Sequence, residues 1–362
     1  MSSTISEVIQ RTNVSNKVEV GGKLVGEGEP TFIIAEVGAN HNGDLELAKR
    51  LIREAWKAGA DAVKLQKRSL PHLLTKEMML QPKDSPFGNT YGEYREKLEF
   101  GKDEYVELKK FADDLGILFF ATPFDIPSTD FLEDIGVSTY KIASFDVTNT
   151  ALLEYIAKKG KPIFMSVGMA TEEEVDQAVE TILAHNSRLI IKHCISVYPT
   201  PYEHMHLRNI EFLKRKYYPI PVGYSGHEQD ILPTLLAVGA GACVVERHVT
   251  VDKSLPGPDH ATVSLDMYEF EHLVSEIRRV EKAMGHFRKE LFEDEARIRE
   301  KHGKSITSKV AIPAGTTITK DMLTVKNPGT GLPPYKTDEL VGKVAKEDIA
   351  DDAIIPRQAL DW

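Results

Sequence analysis

Residues 221–248, PVGYSGHEQDILPTLLAVGAGACVVERH, contain two short apolar runs, and a histidine follows or ends each of them. Short runs rich in β-branched or aromatic residues, separated by longer amphipathic segments, are typical of buried strands. The pattern recurs along the chain and predicts eight strands: Phe32 to Val37, Ala62 to Gln66, Leu118 to Thr122, Tyr140 to Ser144, Pro162 to Val167, Leu189 to Cys194, Pro221 to Ser225 and Cys243 to His248.

Helical patterns separate these predicted strands. Asp44 to Ala58, Glu104 to Leu115 and Thr171 to Ala184 are three examples, and TEEE supplies the last with a capping box. Eight strand and helix units over roughly 250 residues match an α/β fold, the (β/α)8 TIM barrel, whose active site lies at the carboxyl ends of the strands. The alternative is an open doubly wound sheet, but no GxGxxG follows the first strand, and polar residues end every strand.

The carboxyl-terminal part has a different pattern. From Ser305 onward, short strands alternate with Pro/Gly turns such as IPAGTTIT and NPGTGLPPYKT, which indicates a compact β-rich module. We predict an N-terminal extension over residues 1–20, a catalytic barrel over 21–285, a linker over 286–302 and a β-rich domain over 303–362. A long insertion between the second and third strands, which includes residues 72–100, lies on the predicted catalytic face and is a candidate lid.

Composition restricts the class of partner. Lys and Arg number 45 against 55 Asp and Glu, so the formal net charge is −10, which argues against a nucleic acid partner. An anionic ligand therefore needs a local cluster of cations. Cys194 and Cys243 lie in apolar runs, which predicts reduced thiols. The N-terminal residues show no apolar signal core, and Ile231 to Val245 is too short and interrupted to span a membrane, so we expect a cytoplasmic protein without a membrane partner.

Polar residues stand at the end of every predicted strand. Because these ends meet at one face of a barrel, side chains far apart in sequence are expected to converge there. The predicted ring comprises Glu36, Lys64, Gln66, Thr122, Lys141, Ser144, Ser166, His193, Ser196, Ser225, His227, Glu246 and His248.

Two histidines are candidate metal ligands. His227 in GYSGHE and His248 in VERHVT end neighbouring strands, and two neutral imidazoles with open coordination positions suit a catalytic divalent metal. The alternative is a pair of structural histidines at the barrel mouth. Glu246 is a further candidate, either acting on a metal-bound water or ion-paired with Arg247.

Two lysines predict an anion site. Lys64 and Lys141 lie inside the predicted barrel, where a lysine costs desolvation unless it meets an anion, so a phosphate or carboxylate ligand explains them. The alternatives are a structural pair with Glu36 and a Schiff-base lysine. Hydroxyl groups around the lysines resemble a phosphate cradle: Ser144, Ser166 and Ser225. In SLPGPDHA, Asp259 places a carboxylate that can bind sugar hydroxyls over the mouth.

These residues belong to a series of ordered motifs: IIAEVGANHNGD, VKLQK, TYGEYREKLEF, ATPF, YKIAS, SVGMAT, HCISVYPTP, GYSGHE, VERHVTVDKS and PGPDHA. The series resembles the sialic acid synthase family, which includes the N-acetylneuraminate, legionaminate and pseudaminate synthases. The carboxyl-terminal IPAGTTIT, DML and LVGK resemble the family's antifreeze-like (SAF) domain, a β-clip fold.

The resemblance implies a phosphoenolpyruvate-dependent condensation with an N-acetylated mannose-type sugar, with phosphate released by carbon-oxygen cleavage. It implies a domain-swapped homodimer and a divalent metal, Mn2+ or Mg2+, held by His227 and His248. Glu36, Lys64, Lys141 and Glu246 are the catalytic candidates. The implied phosphoenolpyruvate contacts are Lys64, Thr122, Lys141, Ser144, Ser166, Ser196 and Ser225. The implied sugar contacts are Glu36, Gln66, Asn89, Asp146, Tyr198, Asp259, Lys326 and Asn327.

Three features bear on the acceptor sugar. Phe145 follows Ser144 in this chain. Bacterial N-acetylneuraminate synthases often have Gly-Glu at this point, whereas pseudaminate synthases tend to have Phe. Asn327 stands where bacterial members of the family commonly have Arg. PGPDHA resembles the N-acetylneuraminate and legionaminate branches, whereas TYGEYREKLEF with GYSGHE resembles animal enzymes, some of which take a 6-phosphorylated sugar. N-acetylmannosamine, its 6-phosphate and a 2,4-diacetamido-6-deoxyhexose are therefore the candidates. A Schiff-base aldolase and a non-catalytic sugar-binding or coat-assembly protein are alternatives of other classes.

Overall fold

A computed structural model of the chain describes residues 4–360. The chain forms two compact units, Met1–Gly285 and His286–Trp362. The described strands are β1 (Lys17–Val20), β2 (Lys23–Gly26), β3 (Phe32–Gly38), β4 (Ala62–Lys67), β5 (Leu118–Pro123), β6 (Tyr140–Ile142), β7 (Ile163–Ser166), β8 (Leu189–Cys194), β9 (Val222–Gly226), β10 (Val244–Thr250), β11 (Leu265–Asp266), β12 (Ser305–Ser308) and β13 (Leu323–Lys326).

Strands β3 to β10 are parallel and close into a barrel. The ring closes because β10 pairs with β9 on one side and with β3 on the other, where His248 stands opposite Glu36. The TIM-barrel prediction is confirmed, and each of the eight predicted strands agrees with the observed strand to within two residues at either end. Strand β6 is the shortest of the eight because Ser144 already belongs to a 3-10 turn that ends at Asp146.

Helices that follow the barrel strands form the outer layer of the barrel. The last two of the described helices belong instead to the second unit. The described helices are α1 (Ile5–Arg11), α2 (Leu45–Lys57), α3 (Leu70–Leu73), α4 (Lys76–Met79), α5 (Tyr91–Lys97), α6 (Lys102–Leu115), α7 (Ile126–Ile135), α8 (Thr150–Ala157), α9 (Glu172–Leu183), α10 (Asn209–Lys216), α11 (Leu232–Gly239), α12 (Met267–Met284), α13 (Glu293–His302) and α14 (Thr337–Leu340). The predicted capping box of α9 is present, since Thr171 accepts from the Glu174 amide while the Glu174 carboxylate accepts from the Thr171 amide.

The insertion between β4 and β5 carries helices α3 to α5. Tyr94 and Leu98 form a small apolar cluster with Ala39, and Ala39 lies in the loop after β3. This contact places the insertion at the carboxyl end of the barrel, on the face where the polar strand ends converge.

A hairpin of β1 and β2 covers the opposite end of the barrel. Val20 and Val25 are fully buried in the barrel core, and the Arg188 guanidinium, just before β8, donates to the Glu19 carbonyl at 3.0 Å. Gly21 turns the hairpin with a φ of +56°, and a Cβ there would lie 3.0 Å from the Leu118 side chain at the start of β5. The extension expected over residues 1–20 therefore contains helix α1 (Ile5–Arg11) and strand β1 of this hairpin.

The second unit has its own small core. Antiparallel strands β12 and β13 pair directly, with Ser305 opposite Lys326. The core residues are Ile306, Ile312, Ile318, Leu323, Leu332, Leu340, Ala345, Ile349, Ile355, Ala359 and Leu360. None of the helices over residues 4–360 has the length and apolar character needed to cross a bilayer.

Candidate active site

A cavity opens at the carboxyl ends of the barrel strands, and all eight strands contribute to it. This convergence follows from the parallel closed sheet, because alternate residues of each strand face the barrel axis. The lining residues are Glu36, Lys64, Gln66, Thr122, Phe124, Lys141, Ala143, Ser144, Phe145, Ser166, Cys194, Ser196, Tyr198, Ser225, His227, Glu246 and His248.

Five of the predicted sugar contacts do not line this cavity. Asp259 lies close to it, with a carboxylate oxygen 3.7 Å from His248 Nδ1. Asn89 is exposed, and Asp146 is buried against Asn149, whose amide donates to it at 3.2 Å. Lys326 and Asn327 belong to the second unit, where they bond Asp352 and the His302 carbonyl. Their roles toward a sugar stay predictions.

Buried lysines and carboxylates form an ionic cluster at the cavity. Lys64 Nζ lies 2.7 Å from a Glu36 oxygen and 2.9 Å from Thr122 Oγ1, so the predicted pairing of Lys64 with Glu36 is present. Glu246 Oε1 lies 3.7 Å from Lys64 Nζ and 3.5 Å from Lys141 Nζ. Burial opposes the charge on Glu246, but the surrounding lysines outweigh it and hold the pKa of this carboxyl well below its usual range.

Lys192 is a member of the cluster that the sequence analysis missed. Its ammonium group bonds Glu246 Oε2, and it is completely buried in β8. The predicted ring contained His193 instead, but His193 faces away from the axis and bonds the Met205 carbonyl at 2.7 Å. Alternate residues of a strand share a face, so Lys192 lies on the same face of β8 as Cys194, which lines the cavity.

His227 and His248 come together as predicted, with ring centroids 5.5 Å apart. His227 Nδ1 donates to the Ile195 carbonyl at 2.8 Å, which leaves Nε2 as the ring nitrogen open to a ligand. Burial opposes the charged form of His227, but Cys194 and the carbonyl contact outweigh burial and raise the pKa of this imidazole. Tyr198 packs on the same ring at 4.0 Å between centroids. Burial lowers the pKa of His248, so its imidazole is neutral, and its buried Nδ1 has no hydrogen-bond partner in the described structure.

These features fit a divalent metal held by two imidazoles. A neutral ring with an unpartnered nitrogen is the form in which histidine binds metals. Over residues 4–360, no group of three or more His, Cys, Asp or Glu side chains stands close enough to hold an ion. The residues that would hold the ion are His227 and His248, and the remaining coordination positions would be open to solvent or substrate.

Cys194 lies beside His227 in the cavity, with Sγ 3.9 Å from Nδ1. Burial raises the pKa of the thiol, but His227, Lys141 and Ser144 together outweigh burial and lower the pKa to about 7. Cys194 and Cys243 are both free.

Arg247 does not pair with Glu246, so that alternative prediction is wrong. Arg247 points away from the axis, because its neighbours Glu246 and His248 occupy the inward face of β10. Its guanidinium donates to a Glu228 carboxylate oxygen at 3.0 Å and to Thr234 Oγ1 at 2.9 Å. This fully buried pair lies next in sequence to both metal-ligand candidates.

The closed barrel, with buried lysines, carboxylates and imidazoles at its carboxyl end, has the architecture of a TIM-barrel enzyme. The family model described as "NeuB family" matches residues 51–289, and the SAF domain model matches residues 303–360. The chain belongs to the NeuB family.

Relatives of known activity are similar along almost their whole length. N-acetylneuraminate-9-phosphate synthase from Homo sapiens is 40% identical over 94% of this chain and 95% of its own. N,N'-diacetyllegionaminic acid synthase from Legionella pneumophila is 39% identical over 91% and 94%. A solved structure of a sialic acid synthetase from Leptospira borgpetersenii, in complex with citrate, is 39% identical with a TM-score of 0.70, covering 78% of this chain and 95% of that one.

Proposed function

We propose that this protein is a sialic-acid-type (nonulosonate) synthase. In this reaction phosphoenolpyruvate condenses with an N-acetylated mannose-type sugar and phosphate is released. The observation that carries the proposal is the meeting of a buried lysine cluster with His227 and His248 in one cavity. Synthase relatives at 39–40% identity over nearly the whole chain support the same class of reaction.

The lysine cluster is suited to phosphoenolpyruvate, which carries a phosphate and a carboxylate. Lys64, Lys141 and Lys192 outnumber Glu36 and Glu246, so the cluster keeps one formal positive charge. Hydroxyls surround it at the strand ends, and the buried Ser166 Oγ has no hydrogen-bond partner in the described residues. A buried hydroxyl without a partner is costly, and a phosphate oxygen would satisfy it.

The reaction forms one carbon-carbon bond and breaks one carbon-oxygen bond. The methylene carbon of phosphoenolpyruvate bonds the aldehyde carbon of the open-chain sugar, water adds to the former enol carbon, and the bond from that carbon to the phosphate oxygen then breaks. Lys64 and Lys141 stabilise the departing phosphate by charge. A divalent metal on His227 and His248, Mn2+ or Mg2+, supplies Lewis-acid polarisation of the aldehyde when bound.

Glu36 is the residue we assign to proton transfer near the incoming water. Its carboxylate is held on one oxygen by the Gln66 amide at 2.7 Å and on the other by Lys64 at 2.7 Å. Both contacts fix the carboxylate in the wall of the cavity, and general acid-base catalysis requires such a positioned group.

Phosphate release tests the proposed function. We expect release only when phosphoenolpyruvate and an N-acetylated acceptor are both present, and the assay should compare N-acetylmannosamine, its 6-phosphate and a 2,4-diacetamido-6-deoxyhexose. Arabinose 5-phosphate and erythrose 4-phosphate serve as unacetylated controls, and a preference for either would refute the acceptor class. A lysine adduct trapped by borohydride would instead identify a Schiff-base aldolase.

We also propose a cytoplasmic homodimer in which the second unit completes the active site of the partner chain. Support comes from the family resemblance and from exposed apolar side chains near the cavity, since Phe145 is 56% and Met169 is 64% exposed. Sedimentation equilibrium of the full chain should give about twice the 40.4 kDa chain mass. A monomer with full activity would contradict the exchanged arrangement.

A further inference from the structure

Lys192 has no role in the proposed chemistry so far. It does not line the cavity, it is 0% exposed, and its ammonium group lies 5.2 Å from the centre of the Phe164 ring. Placing a lysine at such a position costs desolvation that an apolar residue would avoid. The residue therefore needs an explanation other than packing.

The contacts of Glu246 supply one. Lys192 binds Oε2, while Oε1 faces the cavity, 3.4 Å from Ser225 Oγ and 3.5 Å from Lys141 Nζ. Lys64 has a closer carboxylate in Glu36. Among the described residues, Oε1 of Glu246 is the only carboxylate oxygen within 4.0 Å of Lys141 Nζ, and Lys64 Nζ lies close to the same oxygen. Glu246 is therefore directed mainly at Lys192, and Lys141 keeps an incompletely compensated charge.

We propose that Lys192 is a positioning residue that holds Glu246 back from Lys141, so that Lys141 remains available to an anionic substrate. The inference rests on the proposed function, in which that anion is phosphoenolpyruvate. Without Lys192, the carboxylate of Glu246 would be shared by Lys64 and Lys141, and the incoming phosphate would have to compete with it for both ammonium groups.

The effect can be measured by isothermal titration of full-length protein with phosphoenolpyruvate and, separately, with inorganic phosphate, in the absence of sugar. Burial lowers the pKa of Lys192 to about 7, although Glu246 opposes the shift, so a pH of about 6 keeps the side chain protonated. Lys192→Met preserves the length of the side chain and removes the charge. We expect at least a tenfold weaker Kd for both anions. In a separate steady-state assay of phosphate release, the KM of the sugar should change less than threefold.

A double variant separates this role from a structural one. Lys192→Met/Glu246→Gln removes the pair together and returns the cluster to its original formal charge, so anion affinity should recover to within about threefold of wild type. A merely structural Lys192 predicts no recovery. If the Met variant does not fold, Lys192→Gln can replace it in both the single and the double variant. Glutamine keeps a hydrogen-bond donor toward Glu246 but removes the charge.

The outcomes are distinct. Wild-type affinity in Lys192→Met, or a double variant as weak as the single one, would overturn the role of Lys192 alone. Binding of inorganic phosphate, without phosphate release from phosphoenolpyruvate in the presence of any acceptor, would refute the proposed function. The variants would then decide the positioning role by themselves. A wild-type protein that binds neither anion would overturn both.

Discussion

Replacing His248 with alanine should abolish turnover and remove tight Mn2+ binding together. His227 and His248 are the two imidazoles that the cavity offers to an ion, and over residues 4–360 they do not belong to a group of three or more His, Cys, Asp or Glu side chains that could hold it. Mutation of a residue that only hydrogen-bonds to a metal ligand typically lowers metal affinity or activity by about 10–100-fold. Loss of a ligand itself should therefore lower activity by more than about 100-fold.

The measurement is a titration of Mn2+ by electron paramagnetic resonance, alongside the rate of phosphate release. EDTA should inactivate the wild type and Mn2+ should restore it, whereas Mn2+ should not rescue His248→Ala. His185→Ala is the matched control, because His185 is a partly exposed surface residue whose nearest acid is Glu154 at 3.6 Å. Full activity in a metal-free His227→Ala/His248→Ala protein would disprove the assignment.

The largest loss of stability should follow Arg247→Met. The variant leaves the Glu228 carboxylate buried without its guanidinium partner, and breaking one half of a buried pair costs about 3–5 kcal/mol of unfolding free energy. Tyr224 and Thr234 still donate to Glu228, at 2.9 Å and 2.6 Å, but neither carries a positive charge. Chemical denaturation with a barrel-specific fluorescence signal would report the change.

Two further variants test whether the buried charge on Glu228 causes the loss of stability in Arg247→Met. Arg247→Met/Glu228→Gln removes both charges and should recover part of the lost stability. Arg297→Met, which breaks an exposed pair with Glu293, should leave the unfolding midpoint unchanged within error. An Arg247→Met protein as stable as wild type would show that the buried pair is not what holds β10 against α11.

The sequence predicted the barrel well because eight buried strands of a parallel sheet read as eight short apolar runs. The same property hid which face of a strand looks inward. In β8 both faces are apolar or buried, so periodicity could not rank Lys192 against His193, and the histidine looked like the more chemical residue. Only the closed ring, in which Cys194 reaches the cavity, fixes the orientation.

Long-range partners were the other limit. Helix α11 lies between Glu228 and Arg247 in the sequence. No pattern in the residues around Arg247 indicates that its side chain turns toward the helices and Glu228 rather than toward Glu246. The hairpin of β1 and β2 was also missed, because KVEV and KLVG are short and contain charged residues. Their packing against the barrel floor, rather than their composition, makes them strands.

The pairing of β10 with β3 has a consequence for how this protein comes into being during synthesis. Glu36 emerges from the ribosome on the first barrel strand and His248 on the last, yet the two stand opposite each other in the finished sheet. A nascent chain that has folded seven strands holds most of the cavity residues but lacks Glu246 and His248. The barrel part of the cavity is therefore completed only when β10 pairs with β3, and a chain that has not yet made this pairing cannot hold its full set of cavity residues.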